Sequence, residues 1–82
     1  MSRFQVLELV SRFPYGASMG TLETRAGQFR RSQREALRTQ LNRLHRWGLV
    51  SRQARTWRRG YHYKITMRGR ERLIWARNQG LI

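Results

Sequence analysis

The chain has 82 residues, with 18 Lys or Arg against 4 Asp or Glu, a net charge of +14 and no cysteine. That length predicts one small domain over residues 1–82 with a thin core, and the missing cysteine excludes disulfides, zinc fingers and thiol chemistry and suits a reducing cytoplasm. A surface so basic repels itself unless a polyanion covers it, which makes nucleic acid the first partner class and an anionic membrane the second.

Residues 2–13 read as a helix. Ser2 caps it, Val6, Leu9, Val10 and Phe13 recur on its inner face, and Pro14 stops it. Tyr15 to Ala17 reads as a turn. Residues 18–26 read as a second helix, with Ser18 as cap, Met19, Leu22 and Ala26 inward, and Gly27 as the stop. Gln28 to Arg31 is then a connector. Residues 33–47 form the clearest helix: Ser32 and Glu35 match a capping box, Leu37, Leu41 and Leu44 make one stripe, and Gly48 ends it. Trp47 and Tyr63 are expected in the core. Residues 49–67 read as a β-hairpin with its turn at Arg58-Arg59-Gly60. Tyr61, Tyr63 and Ile65 alternate with His62, Lys64 and Thr66, the two-residue period of a half-buried strand. Thr66 then caps a last helix over residues 67–78, with Leu73 and Ala76 on one face. The order helix, helix, helix, hairpin, helix predicts an α+β chain laid out as a winged helix-turn-helix: three helices, a two-stranded β-hairpin wing and a C-terminal helix.

Two stretches carry a family resemblance. Leu41 to Val50 (LNRLHRWGLV) resembles the passage from recognition helix to wing in MarR-like and PadR-like transcriptional regulators, and Tyr63 to Glu71 (YKITMRGRE) resembles the end of the wing and the start of the next helix in the same proteins. The resemblance covers residues 18–76 and implies a winged helix, binding of double-stranded DNA and often a homodimer. The connector before the third helix is longer than in that family, and the long extra dimerisation helices of full-length members have no counterpart in the chain.

With Leu37, Leu41 and Leu44 inward, a rotation of about 100° per residue turns Arg34, Glu35, Arg38, Thr39, Asn42, Arg43 and Arg46 outward. Arg38 suits guanine O6 and N7, Asn42 suits adenine, and Arg34 at the rim suits phosphate. Glu35 has two readings, helix cap or acceptor from cytosine N4. Arg25, Arg30 and Arg31 are candidate phosphate clamps. In the wing, Arg52, Arg55, Arg58 and Arg59 suit the backbone or minor groove, with Trp57 either bracing the hairpin against Tyr61 or reaching the DNA. Ile74, Trp75, Leu81 and Ile82 exceed what one small core hides and predict a homodimer interface through the last helix, joined by the first.

The function expected from this pattern is sequence-specific DNA binding by a small transcriptional repressor. The alternative is a non-specific architectural DNA- or RNA-binding winged helix. Aspartate is absent, Glu8, Glu23, Glu35 and Glu71 are scattered, and neither His45 nor His62 has a carboxylate near it in sequence. That pattern predicts no enzyme, no metal, no cofactor and no small-molecule ligand. The chain holds no apolar run of membrane-spanning length, and Met1 to Phe4 does not read as a signal peptide. Both points favour a cytoplasmic, nucleoid-associated protein over a membrane-active one.

Overall fold

The computed structural model describes residues 1–28, 30–55 and 60–82. In chain order they form α1 (Arg3–Ser11), β1 (Ala17–Ser18), α2 (Met19–Ala26), α3 (Arg31–Arg46), β2 (Val50–Ala54), β3 (Tyr61–Ile65) and α4 (Met67–Asn78). The architecture is α+β, with four helices and a three-stranded antiparallel sheet in the order β1-β3-β2. None of these helices is long and apolar enough to cross a membrane; the longest, α3, has 16 residues.

Helix α1 begins where expected. Ser2 Oγ accepts the Gln5 N–H at 3.2 Å, and Gln5 Oε1 accepts the Ser2 N–H at 2.8 Å, so two orphan donors of the first turn are satisfied reciprocally. It ends at Ser11, two residues before the expected boundary. The Arg12 and Phe13 N–H groups donate to Leu9 and Val10 carbonyls, a tightening of the last turn that precedes Pro14. Leu7 is buried beside Val6, Leu9 and Val10. This helix packs on α2, α3, α4 and β3 at once, so its buried arc is wider than a single stripe.

The turn expected at Tyr15 to Ala17 gives way to a third strand. Ala17 pairs with Tyr63 and Ser18 with His62, which places β3 in the middle of the sheet and corrects the two-stranded wing. Two residues carry no alternation to read. The strand exists because β3 offers an unpaired edge to the segment entering α2. Ser18 then caps α2 by accepting the Thr21 N–H at 3.3 Å.

Helix α3 starts two residues earlier than expected, and the capping box at Ser32 and Glu35 does not form. Arg30 is the N-cap, and Gln33 Oε1 reaches back to its N–H at 3.1 Å. The Glu35 carboxylate is drawn instead to Arg31, 3.2 Å away at the i, i+4 spacing that helix neighbours share. Arg31 therefore belongs to the first helical turn rather than to the connector.

The end of α3 is fastened to α4. Gly48 takes the left-handed conformation (φ +74°), which lets its own N–H reach the His45 carbonyl and the Leu49 N–H reach that of Leu44. Thr66 Oγ1 donates to the Gly48 carbonyl at 2.7 Å and accepts the Gly69 N–H at 3.0 Å, so one hydroxyl joins the exit of α3 to the N-terminus of α4. A Cβ on Gly69 would strike the Leu49 carbonyl and lie 2.8 Å from Ile65 Cγ1, so only glycine allows α4 to come this close. The core beneath contains Val6, Leu7, Val10, Leu22, Leu41, Leu44 and Val50, with Tyr63, Ile65 and Leu73 closing it from the sheet and α4.

Trp47 corrects an expectation. It is 43% exposed rather than part of the core, because it is the C-cap residue, just past the last leucine of the stripe. Tyr61 is also exposed, whereas Tyr63 and Ile65 are buried as their alternation requires.

Candidate nucleic-acid interface

Helix α3 carries five arginines and one glutamate in its 16 residues, while Leu37, Leu41 and Leu44 are buried. The charges consequently fall on the remaining arc. Arg34, Glu35, Arg38, Thr39, Asn42, Arg43 and Arg46 are all exposed, as the rotation from the leucine stripe demands. Arg31 in the first turn and Arg30 at the N-cap extend this face to the N-terminal end of the helix.

Several polar groups on the face already have partners. Glu35 accepts from Arg31, which leaves its carboxylate in an ion pair rather than in a cap. Thr39 Oγ1 donates to the Glu35 carbonyl at 2.9 Å. Asn42 Oδ1 accepts from Arg52 of β2 at 3.3 Å. Among the described residues, no ion pair holds Arg34, Arg38, Arg43 or Arg46.

The sheet continues this surface. The Arg52 guanidinium stands 4.4 Å from the centre of the Tyr61 ring while it reaches Asn42, so one side chain bridges β3, β2 and α3. Burial pushes the Tyr63 phenol above its ordinary value, while Arg52 and Arg38 pull it the other way. Both guanidiniums thus act on the same buried ring, one from β2 and one from α3. His45 Nδ1 lies 3.2 Å from the Val50 carbonyl, and since that oxygen can only accept, Nδ1 carries the proton and pins α3 to the start of β2. Arg55, half-buried beyond β2, donates its backbone N–H to the Gly60 carbonyl.

Other expected residues lie elsewhere. Arg25 of α2 stands 5.9 Å from the Phe13 ring. Ile74, Trp75, Leu81 and Ile82 are exposed on and just after α4, in keeping with the surplus apolar surface read from the sequence. Trp57, Arg58 and Arg59 fall outside the described residues, as does the brace expected between Trp57 and Tyr61. The partner of Tyr61 across the strands is Ala54.

The bridge from Asn42 to Arg52 was not read from the sequence. The two residues are ten apart and on different elements, so no periodicity links them. The available signal is indirect: an arginine opposite Tyr63 and diagonal to Tyr61, in a hairpin that follows a helix with an outward amide. No protein family, curated protein or solved structure matches the chain. What this face does must be argued from its chemistry.

Proposed function

We propose that the chain is a winged-helix protein that binds double-stranded DNA as a small sequence-specific transcriptional repressor. In this reading α3 enters the major groove with its N-terminal end leading, and the β2–β3 hairpin lies on the backbone or in the minor groove. The element order supports the winged-helix assignment, and so does a sheet whose central strand is the last one. The observation that carries the DNA reading is the outward row Arg34, Arg38, Arg43 and Arg46, unpaired among the described residues and continuous with Arg52. Like charges on one helix face oppose each other by a few tenths of a kcal/mol per pair, and a phosphate backbone removes that cost.

A second reading has its own support. Asn42, Thr39 and Glu35, the side chains suited to base edges, all hold protein partners. With the Asn42 Oδ1 engaged, its two-point contact with adenine is not free, and a face whose remaining donors are mostly arginine suits phosphates more than sequence, as in an architectural DNA- or RNA-binding protein.

In-vitro selection from a random duplex pool at physiological salt separates the two. An enriched motif is expected for the repressor, and two-fold symmetry in that motif would add the homodimer through α4 to the proposal. On the selected site, Arg38→Ala should weaken binding by about 1–3 kcal/mol and weaken random duplex much less. Arg34→Ala should weaken both alike. Equal losses for Arg38→Ala on every sequence would leave only the architectural reading. A flat response of affinity to salt, in place of a log–log slope of about −5 to −7, would remove both.

A further inference from the structure

A second basic surface lies between α1 and α4. It is a groove of about 710 Å³ with the buried Leu7, Leu44 and Leu49 beneath it and with the N-terminal turn of α1, Trp47 and α4 from Arg68 to Trp75 as its rims. Of the residues that form the DNA face proposed above, only Arg46 reaches it.

The rims combine arginine with aromatic rings. The Arg3 guanidinium stands 5.2 Å from the centre of the Phe4 ring and 5.6 Å from that of Trp47. Arg72 stands 4.3 Å from the Trp75 ring, and Phe4 and Trp75 meet at 6.2 Å between centroids. A guanidinium laid over a ring keeps its N–H donors in its own plane, where a carboxylate can take two of them. Arg68 adds a further cation to the same wall, and Glu71 is the single carboxylate lining the groove. Among the described residues neither Arg3, Arg68 nor Arg72 has an ion-pair partner.

These features select among occupants. A second copy docking here by two-fold symmetry would set Arg3, Arg68 and Arg72 against their own copies, so a homodimer through α4 is left to Ile74, Leu81 and Ile82, which lie outside the groove. A single-stranded nucleic acid needs open ring faces for its bases, and Trp47 and Trp75 each carry a guanidinium. The exposed edges of Trp47 and Trp75, rimmed by guanidiniums without an ion-pair partner among the described residues, match an amphipathic segment whose polar positions are acidic. We propose that the groove between α1 and α4 docks an acidic amphipathic helix of a partner protein, with apolar side chains against Phe4, Trp47 and Trp75 and carboxylates on Arg3, Arg68 and Arg72. DNA binding by α3 is not needed for this.

The test uses the full chain, labelled with ¹⁵N, and a synthetic peptide of about 15 residues with leucine and phenylalanine at i, i+3, i+4 and i+7 and glutamate between them. Saturable shifts are expected at the Trp47 and Trp75 indole N–H signals. The same peptide with glutamine in place of glutamate should bind at least about tenfold more weakly. Arg68→Gln combined with Arg72→Gln should weaken the glutamate peptide by a similar factor. The glutamine peptide gives the same comparison on the unaltered protein should that variant fail to fold. Absence of shifts, or equal binding of the two peptides, overturns the proposal. So does displacement of the peptide by an oligodeoxythymidylate that shifts the same indoles, and so do indole shifts that follow protein concentration alone.

Discussion

Both exposed basic faces of this chain are built from arginine, yet they hold it in different company. On the α3 and β2 face the guanidiniums meet an amide and a carboxylate, in Arg52 with Asn42 and Arg31 with Glu35, and a single ring, Tyr61 beneath Arg52. On the α1 and α4 face they meet rings, with Arg3 on Phe4 and Trp47, and Arg72 on Trp75. A polar surrounding keeps a charge hydrated and suits a hydrated polyanion whose counterions are released on contact. An aromatic surrounding strips part of that water away and suits an anion that arrives with apolar groups beside it. Net charge alone would assign both faces to one ligand; the neighbours of each charge separate them.

The largest effect should come from removing the frame that the two faces share. Gly69→Val places side-chain carbon where the Leu49 carbonyl and Ile65 already are. It should cost about 3 kcal/mol or more, a large part of the stability of so small a domain. A thermal melt should show it, with DNA and peptide binding lost together. Loss of only one of the two would mean that the faces do not depend on a common frame.

Next in size is Arg38→Ala, which should act on one face only. The loss of about 1–3 kcal/mol on a selected duplex should leave the peptide titration unchanged. A smaller effect is expected from Asn42→Ala. If the amide serves to position Arg52, its removal should weaken all duplexes alike, by about 1 kcal/mol or less, because a single exposed hydrogen bond is lost. If it reads adenine, the loss should be confined to the selected site, and competition binding distinguishes the two outcomes.

The smallest effect concerns pH. Burial holds the Tyr63 phenol above the ordinary 10.0, so the folded chain keeps that proton more tightly than the unfolded one does. The resulting stability is fully present below pH 10.0 and is lost as pH rises through the folded value. Denaturant midpoints should accordingly fall on alkaline titration, and Tyr63→Phe should flatten the fall. An unchanged slope in that variant would assign the alkaline loss to other groups.

The parts of this molecule legible in its sequence are those set by neighbours along the chain. Ser18 and Thr66 are caps because each precedes a helical run by one residue, and Gly27 and Gly48 end helices by taking a conformation that other residues resist. The leucine stripe fixed the outward face of α3 at every position. What escaped were competitions and distant meetings. Glu35 had two suitors, the cap and Arg31, and the arginine prevailed. The strand β1 depends on an edge supplied by residues far along the chain, and Trp47 looked like core because hydrophobicity does not reveal that the stripe has already ended. The aromatic groove joins residues 3 and 4 to 47 and to 68–75, and no local pattern announces that encounter.

The hydroxyl of Thr66 has a consequence for the order of assembly. Its donor, the Gly69 N–H, lies three residues on in the first turn of α4, while its acceptor, the Gly48 carbonyl, lies across the whole hairpin. The cap on α4 can form locally, whereas the bond to Gly48 waits until the hairpin has brought its end back to α3. The bond to Gly48 therefore carries the loop-closure cost, and it is expected on the late, downhill side of the folding barrier. A chain lacking this hydroxyl, as in Thr66→Val, should collapse at nearly the normal rate and come apart faster. One oxygen atom would then govern how long the folded state lasts more than how quickly it is reached.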